Sequence, residues 1–156
     1  MKIIPLRNSA LVAFVDDEYF DLVNRNPWDL LKGYAYYRYW DKGAKEYVSV
    51  YMHRIILSGV PRVDHRDRNK LNNQRFNLRP ATPIQNQGNR WSHGKTSKFK
   101  GVSAVFNKGV FRGWRANIRD GKMRNLGTFK TQEEAAKVYN CAAIVKYREF
   151  ALLNSL

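Results

Sequence analysis

The chain changes its hydrophobic rhythm several times, and each change marks an element. Residues 3–15 predict one or two short strands, ending in the apolar run 10–15. Asp16 is placed to cap a helix over 17–24, with Tyr19, Phe20, Leu22 and Val23 as its apolar side. Asn26-Pro27 ends it. Residues 33–40 and 47–51 are aromatic-rich strands around a turn at Asp41-Lys42-Gly43, and their tyrosines are expected to pack the sheet. A short helix follows within 51–57, carrying His53 in a structural or phosphate-facing role. Gly59 closes it, and Pro61 leads into a short strand at 63–65.

Residues 66–77 are a polar loop rich in Asn, Asp and Arg, and 78–81 form the returning strand. Thr82-Pro83-Ile84-Gln85 then opens a helix. Thr82 is an N-cap, Pro83 suits the first helical position, and Gln85 completes a capping box. Residues 92–97 are short, polar and contain glycine, and His93 in them is expected to be solvated. Beyond them the pattern is three strands at 99–106, 111–119 and 122–129, with turns at Asn107-Lys108-Gly109 and Asp120-Gly121. Thr131-Gln132-Glu133-Glu134 is a second capping box. It starts a helix with Ala135, Val138, Tyr139, Ala142 and Val145 on one face, packed on the sheet. Cys141 lies beside that face and is expected to be inert. The fold class is α+β: a strand–loop–strand–helix unit at 63–90 with a small supporting sheet, then a three-stranded antiparallel sheet on one helix. The divisions are 1–92, a linker at 93–97, and 98–156.

Charge adds a partner. The 156 residues carry a net charge of +15. Residues 1–50 are neutral, residues 51–95 carry +7 and residues 96–156 carry +8. An excess that avoids the first third is more than a solvated surface, and it points to nucleic acid or an anionic membrane. No apolar run approaches the ~18 residues of a membrane span. Pro5, Arg7 and Asn8 interrupt any cleavable signal pattern at the N-terminus. A cytoplasmic location and double-stranded DNA as partner are therefore expected, with no membrane. The single cysteine excludes an internal disulfide and a four-cysteine structural zinc site. Oligomeric state is left open.

The candidate chemistry sits in 63–90. An Asp-His pair alone is ordinarily a surface turn. Here Asp64 and His65 end a strand, Asn77 stands where the loop re-enters, and Asn86 lies in the helix that follows. Asp64 and Asn86 offer oxygen ligands, which suit a hard cation such as magnesium. His65 has an ordinary pKa of about 6.5 and takes a proton from water near neutral pH. Asn77 is suited to hold the loop that positions His65. The set describes phosphodiester hydrolysis with a bound divalent ion. Arg79 and Arg90 are placed to hold phosphates. On strand 111–119, Trp114, Ala116 and Ile118 alternate with Arg115, Asn117 and Arg119. One face meets the helix and the other is basic, and such a face fits the major groove. Arg112, Lys122 and Arg124 extend the basic surface.

Two resemblances follow from these residues. His53-Arg54, Val63-Asp64-His65, Asn72-Asn73, Asn77-Leu78-Arg79 and Asn86 resemble the HNH nucleases, in the subgroup of phage homing endonucleases. That resemblance implies His65 as general base, Asp64 and Asn86 as holders of magnesium (manganese substituting), and Asn77 as the structural asparagine. The third letter is histidine in many members and is Asn86 here. The second covers nearly all of 98–156. Lys100-Gly101-Val102, Trp114, Ala116, Ile118-Arg119, Leu126-Gly127-Thr128-Phe129, Glu134-Ala135-Ala136, Tyr139, Ala142-Ala143 and Leu153-Asn154 resemble the plant ethylene-response-factor DNA-binding domain. It implies Lys100, Arg115, Asn117 and Arg119 on a DNA-reading face. Ser103 and Asn125 stand where plant members often have arginine and tryptophan, so the target sequence does not transfer. A metal-dependent DNA endonuclease, with a homing role by resemblance, is the expected function. The alternative is an inactive DNA-binding regulator derived from one; RNA binding is favoured only by charge and aromatics.

Overall fold

Asp16 does not cap the helix that follows it. Its carboxylate accepts from Gln74 Nε2 at 3.1 Å and from the Arg75 backbone N–H at 2.6 Å, fifty-eight and fifty-nine residues away. Both carboxylate oxygens are taken by these charge-assisted long-range bonds, and the helix start receives no side-chain cap from Asp16. This and other features are taken from a computed structural model, which describes residues 1–91 and 94–156. Ser92 and His93, including the solvated role expected for His93, lie outside the described residues. The chain divides into two compact units, Met1–Ala81 and Thr82–Leu156. The helix after Thr82 thus belongs with the second unit, whereas the sequence pattern puts its break at 93–97.

In the first unit, β1 (Lys2–Pro5) pairs antiparallel with β2 (Val12–Val15), and α1 (Asp17–Val23) follows. The strands β3 (Asp29–Leu31), β4 (Tyr34–Asp41) and β5 (Glu46–Tyr51) form an antiparallel sheet in that order. β3 has no counterpart in the sequence reading, because three residues after a proline are too few to show alternation. The short helix α2 (Met52–Ile56) leads to β6 (Val63–His65), which pairs antiparallel with β7 (Leu78–Pro80). The core gathers Ile4, Ala13, Val15, Trp28, Met52 and Leu78, all at 2% exposure or less. Trp28 also donates its indole N–H to the Val23 carbonyl at 2.7 Å, so the largest core side chain carries no unmet donor. Phe14 and Asn73 clamp the 66–77 loop onto β2: Phe14 N–H donates to Leu71 O and Asn73 N–H to Phe14 O, both at 2.8 Å.

The second unit opens with α3 (Pro83–Asn89), whose capping box is complete: Gln85 N–H donates to Thr82 Oγ1 and Thr82 N–H to Gln85 Oε1. β8 (Val102–Asn107), β9 (Val110–Asp120) and β10 (Lys122–Phe129) form an antiparallel sheet with β9 central. The helix α4 (Gln132–Tyr147), also capped at Thr131 and Glu134, covers one face. A single 3-10 turn, Arg148–Phe150, follows. Phe99, Val102, Ala116, Ala135 and Ala136 form the core, flanked by Trp114, Leu126 and Phe129.

The buried stripe of α4 differs from the expected one. It runs through Ala135, Tyr139, Ala143 and Tyr147, with Ala136 beside it, while Val145 is 81% exposed. A stripe advancing strictly by four residues drifts around the helix and leaves position 145 behind. Small residues let α4 approach closely, and Gly101 is where the approach is tightest. Its φ is +75°, and an added Cβ would lie 2.2 Å from Tyr139 Cδ2 and 2.6 Å from Asn117 O. Gly101→Ala is therefore expected to destabilise the second unit by roughly 3 kcal/mol or more, from backbone strain and overpacking together. Chemical denaturation of the full-length variant checks this.

Candidate active site

β6 and β7 are only three residues each, and their register sets the site. Asp64 stands opposite Arg79, and His65 opposite Leu78. Asp64 is 4% exposed and His65 5%. Asp64 Oδ2 accepts from Arg79 Nε and Nη2, each at 2.8 Å. Arg79 is itself buried, so the residue expected to face phosphate instead holds the carboxylate in one orientation. The signal was in the sequence: two short antiparallel strands joined by a loop place these two charges face to face.

Asn77 spans the loop between the strands. Its Nδ2 donates to Asp67 Oδ1 at 2.9 Å and to Asn72 O at 2.7 Å, and its Oδ1 accepts from the Asp67 N–H at 3.0 Å. The backbone closes the same turn, with Arg66 N–H donating to Asn77 O and Arg68 N–H to His65 O, both at 2.9 Å. One buried amide thus ties the start of the loop to its end, directly after His65.

Around His65 lies an aromatic wall that sequence reasoning missed. The His53 ring is 5.3 Å away, edge-on, and the Tyr34 ring 5.9 Å away. Tyr51 stacks on His53 at 5.7 Å and meets Tyr34 edge-on. Lys70 Nζ sits 4.4 Å from the Tyr34 ring centroid and donates to Lys32 O. The tyrosines looked like ordinary sheet packing because β4 and β5 are rich in them. The distinguishing feature is that Tyr51 ends its strand directly before α2, which turns His53 back onto the same cluster.

Burial dominates the protonation of both imidazoles. It pushes His53 down to about 3, with neighbouring His65 and Arg54 adding to the effect. It also lowers His65, partly offset by the Asn73 side chain and by the Asp67 and Asp64 carboxylates. Both rings are neutral at pH 7. The folded state binds fewer protons than the unfolded chain below the ordinary histidine value of 6.5. Stability is therefore complete above that value and declines as pH falls towards 3, by roughly 1.4 kcal/mol per pH unit for each ring that stays neutral. Thermal melts of wild type and His53→Phe between neutral pH and the acid limb check this, and the variant is expected to show the shallower decline.

Among the described residues no group of three or more His, Cys, Asp and Glu is gathered to hold a metal ion. The donors that are present still suit one. A magnesium ion keeps several waters and takes one or two carboxylates plus substrate phosphate, so a single buried, oriented carboxylate is chemically adequate. Neutral imidazole is also the form that binds metal or accepts a proton.

The remaining expected residues lie in the second unit. Asn86 is half-buried on α3, and Arg90 is exposed just after it. Arg112, Arg115, Arg119, Lys122 and Arg124 are exposed on the sheet, and Asn117 is half-buried. Arg90, Arg119, Asn117 and Gln87 line a cavity of about 440 Å³. Lys100 departs from its expected place on the reading face. It precedes β8, in the turn at Gly101, and is 6% exposed. Its ammonium donates to Gly88 O at 2.5 Å and lies 3.4 Å from Gln87 O.

Asp64 and His65 thus stand buried at a strand end, beside a loop that Asn77 staples. A curated protein of Acanthamoeba polyphaga mimivirus, named as an uncharacterized HNH endonuclease, is 32% identical over 155 residues. The match covers 96% of this chain and 78% of the viral protein. The chain belongs to the HNH endonucleases, hydrolases that cut phosphodiester bonds in DNA. No protein-family model matches it, and no solved structure matches it. Among the described residues no helix is long and apolar enough to cross a membrane.

Proposed function

We propose that this HNH endonuclease cuts duplex DNA with one divalent ion, magnesium or manganese, at a site chosen by the sheet β8–β10. The observation that carries the reading is the buried pair Asp64–His65, fixed by Arg79 on one side and by the Asn77 staple on the other. His65, neutral at pH 7, takes the proton from a water whose oxygen attacks phosphorus; the P–O bond to the 3′ oxygen breaks. Asp64 and Asn86 are the residues assigned to the ion, and that assignment rests on the ββα-metal sequence pattern. When bound, the ion stabilises charge on the phosphate and on the leaving oxygen. Asn77 positions rather than reacts. His53 and Tyr34 pack against the His65 ring and keep water from that side, which holds its basicity to the other.

The exposed cations Arg112, Arg115, Arg119, Lys122 and Arg124 support a DNA-reading surface of the ethylene-response-factor type, with Asn117 as an adenine-reading candidate. Arg90 serves phosphate. Arg79 has no such role, because it is buried against Asp64. The resemblance of residues 53–86 to phage homing endonucleases supports homing as the biological role proposed. Incubation of the full-length protein with supercoiled and linear duplex DNA, with and without magnesium or manganese, tests the reading. Cleavage that requires the ion supports it. Tight binding with no cleavage under any ion would instead identify a DNA-binding regulator.

A further inference from the structure

Lys100 is the one buried lysine of the second unit among the described residues, and nothing in the proposed chemistry uses it. A buried ammonium needs strong acceptors. It finds them in the last carbonyls of α3, Gly88 O and, more distantly, Gln87 O, at the partly negative end of the helix. Two further devices hold the same helix end. Leu152 N–H donates to Gly88 O at 3.1 Å. Gly88 lies flat against Tyr147, so that a Cβ there would come within 2.6 Å of the ring.

Lys100 is itself fixed from behind. Its N–H donates to Asn154 Oδ1 at 2.6 Å, and Asn154 Nδ2 donates back to Lys100 O at 3.1 Å. Asn140 of α4 brackets Asn154, accepting from its N–H at 2.8 Å and donating to its carbonyl at 3.0 Å. A continuous chain of hydrogen bonds thus runs from α4 through the C-terminal tail and Lys100 to α3. Its last member carries Asn86, two residues from the Gly88 anchor.

We infer that Lys100 is a positioning residue for the metal-holding helix α3, and that it makes no contact with DNA. The inference rests on the reading of Asn86 as a ligand of the divalent ion. Removing the ammonium leaves the buried Gly88 carbonyl at the helix end without its charged donor. The helix end loosens, and Asn86 loses its fixed orientation, while the exposed basic face of the sheet is untouched.

The test uses the full chain with Lys100→Met, which keeps the length of the side chain and removes the charge, and Lys100→Gln, which keeps one donor at shorter reach. Four quantities are read: the melting temperature, duplex affinity without metal, manganese binding followed by electron paramagnetic resonance of the ion, and amide hydrogen exchange over 85–90. Lys100→Met is expected to weaken manganese binding about tenfold, as loss of an outer-shell support does. Exchange at the end of α3 is expected to quicken at least tenfold. DNA affinity should stay within about twofold, and Lys100→Gln should fall between Met and wild type. Manganese binding and helix exchange equal to wild type would overturn the inference. So would a tenfold loss of DNA affinity with metal binding intact and the melting temperature unchanged, because Lys100 would then be a DNA contact. Asn86→Ala separates the two levels: wild-type manganese binding in that variant removes the reading of Asn86 as ligand. A loss there with no loss in Lys100→Met removes only the role of Lys100.

Discussion

His65→Ala is expected to lower the rate of DNA cleavage by roughly 10²–10⁴-fold, the contribution of a positioned general base. Duplex affinity should stay within a few-fold, since His65 is 5% exposed and surrounded by Tyr34, His53 and its own loop rather than by the basic surface. The fold should tolerate the change. The ring leaves a cavity, but burial already disfavours its charged form, and losing that group removes one source of acid sensitivity. Single-turnover cleavage at saturating protein, beside a gel-shift titration of the same substrate, reads both quantities. A cleavage rate near wild type would reassign the base, and His53 is then the nearest other imidazole.

Asp64→Ala is expected to stop cleavage and also to destabilise the first unit by about 3–5 kcal/mol, the usual result of removing one member of a buried ion pair. The guanidinium of Arg79 would remain in the interior without the carboxylate that accepts two of its donors at 2.8 Å. A lost activity in this variant therefore mixes chemistry with unfolding. The double variant Asp64→Ala/Arg79→Met separates them. Met fills similar volume and brings no charge, so stability should recover by most of that loss while cleavage stays absent. Recovery of cleavage together with stability would show that Asp64 serves only to offset Arg79. Urea denaturation and cleavage of one plasmid substrate, run on the wild type, both single variants and the double variant, complete the cycle.

Much of this site was legible because its parts are local. Asp64, His65 and Asn77 lie on one strand pair and its loop, so alternation and turn chemistry place them within a few ångströms without tertiary knowledge. The capping boxes at Thr82 and Thr131 are equally local, and both form as the sequence spells them. What stayed hidden depends on long-range choice. Asp16 had an adjacent helix to cap and served instead a loop nearly sixty residues on. Tyr34 and Tyr51 gave no sign that they would meet His53 and His65, because a strand tyrosine looks the same whichever face it lines. Lys100 looked like one more cation in a basic run, and only its position before Gly101 turns it inward. The buried stripe of α4 was misplaced for a related reason. Several apolar residues shared the helix, and only packing decided between Val145 and Tyr147.

The membership of α3 in the second unit bears on how such enzymes can be recombined. A chimera joined in the polar stretch at 93–97 would carry α3 away from Lys100, Tyr147 and Leu152 and present it to a foreign partner lacking those anchors. A junction at Ala81 and Thr82, the division between the compact units, moves the helix together with Lys100, Tyr147 and Leu152. In any exchange of units between relatives, the helix that bears Asn86 then travels with the second unit. The workable crossover lies upstream of Thr82, inside what the sequence pattern alone would assign to the nuclease.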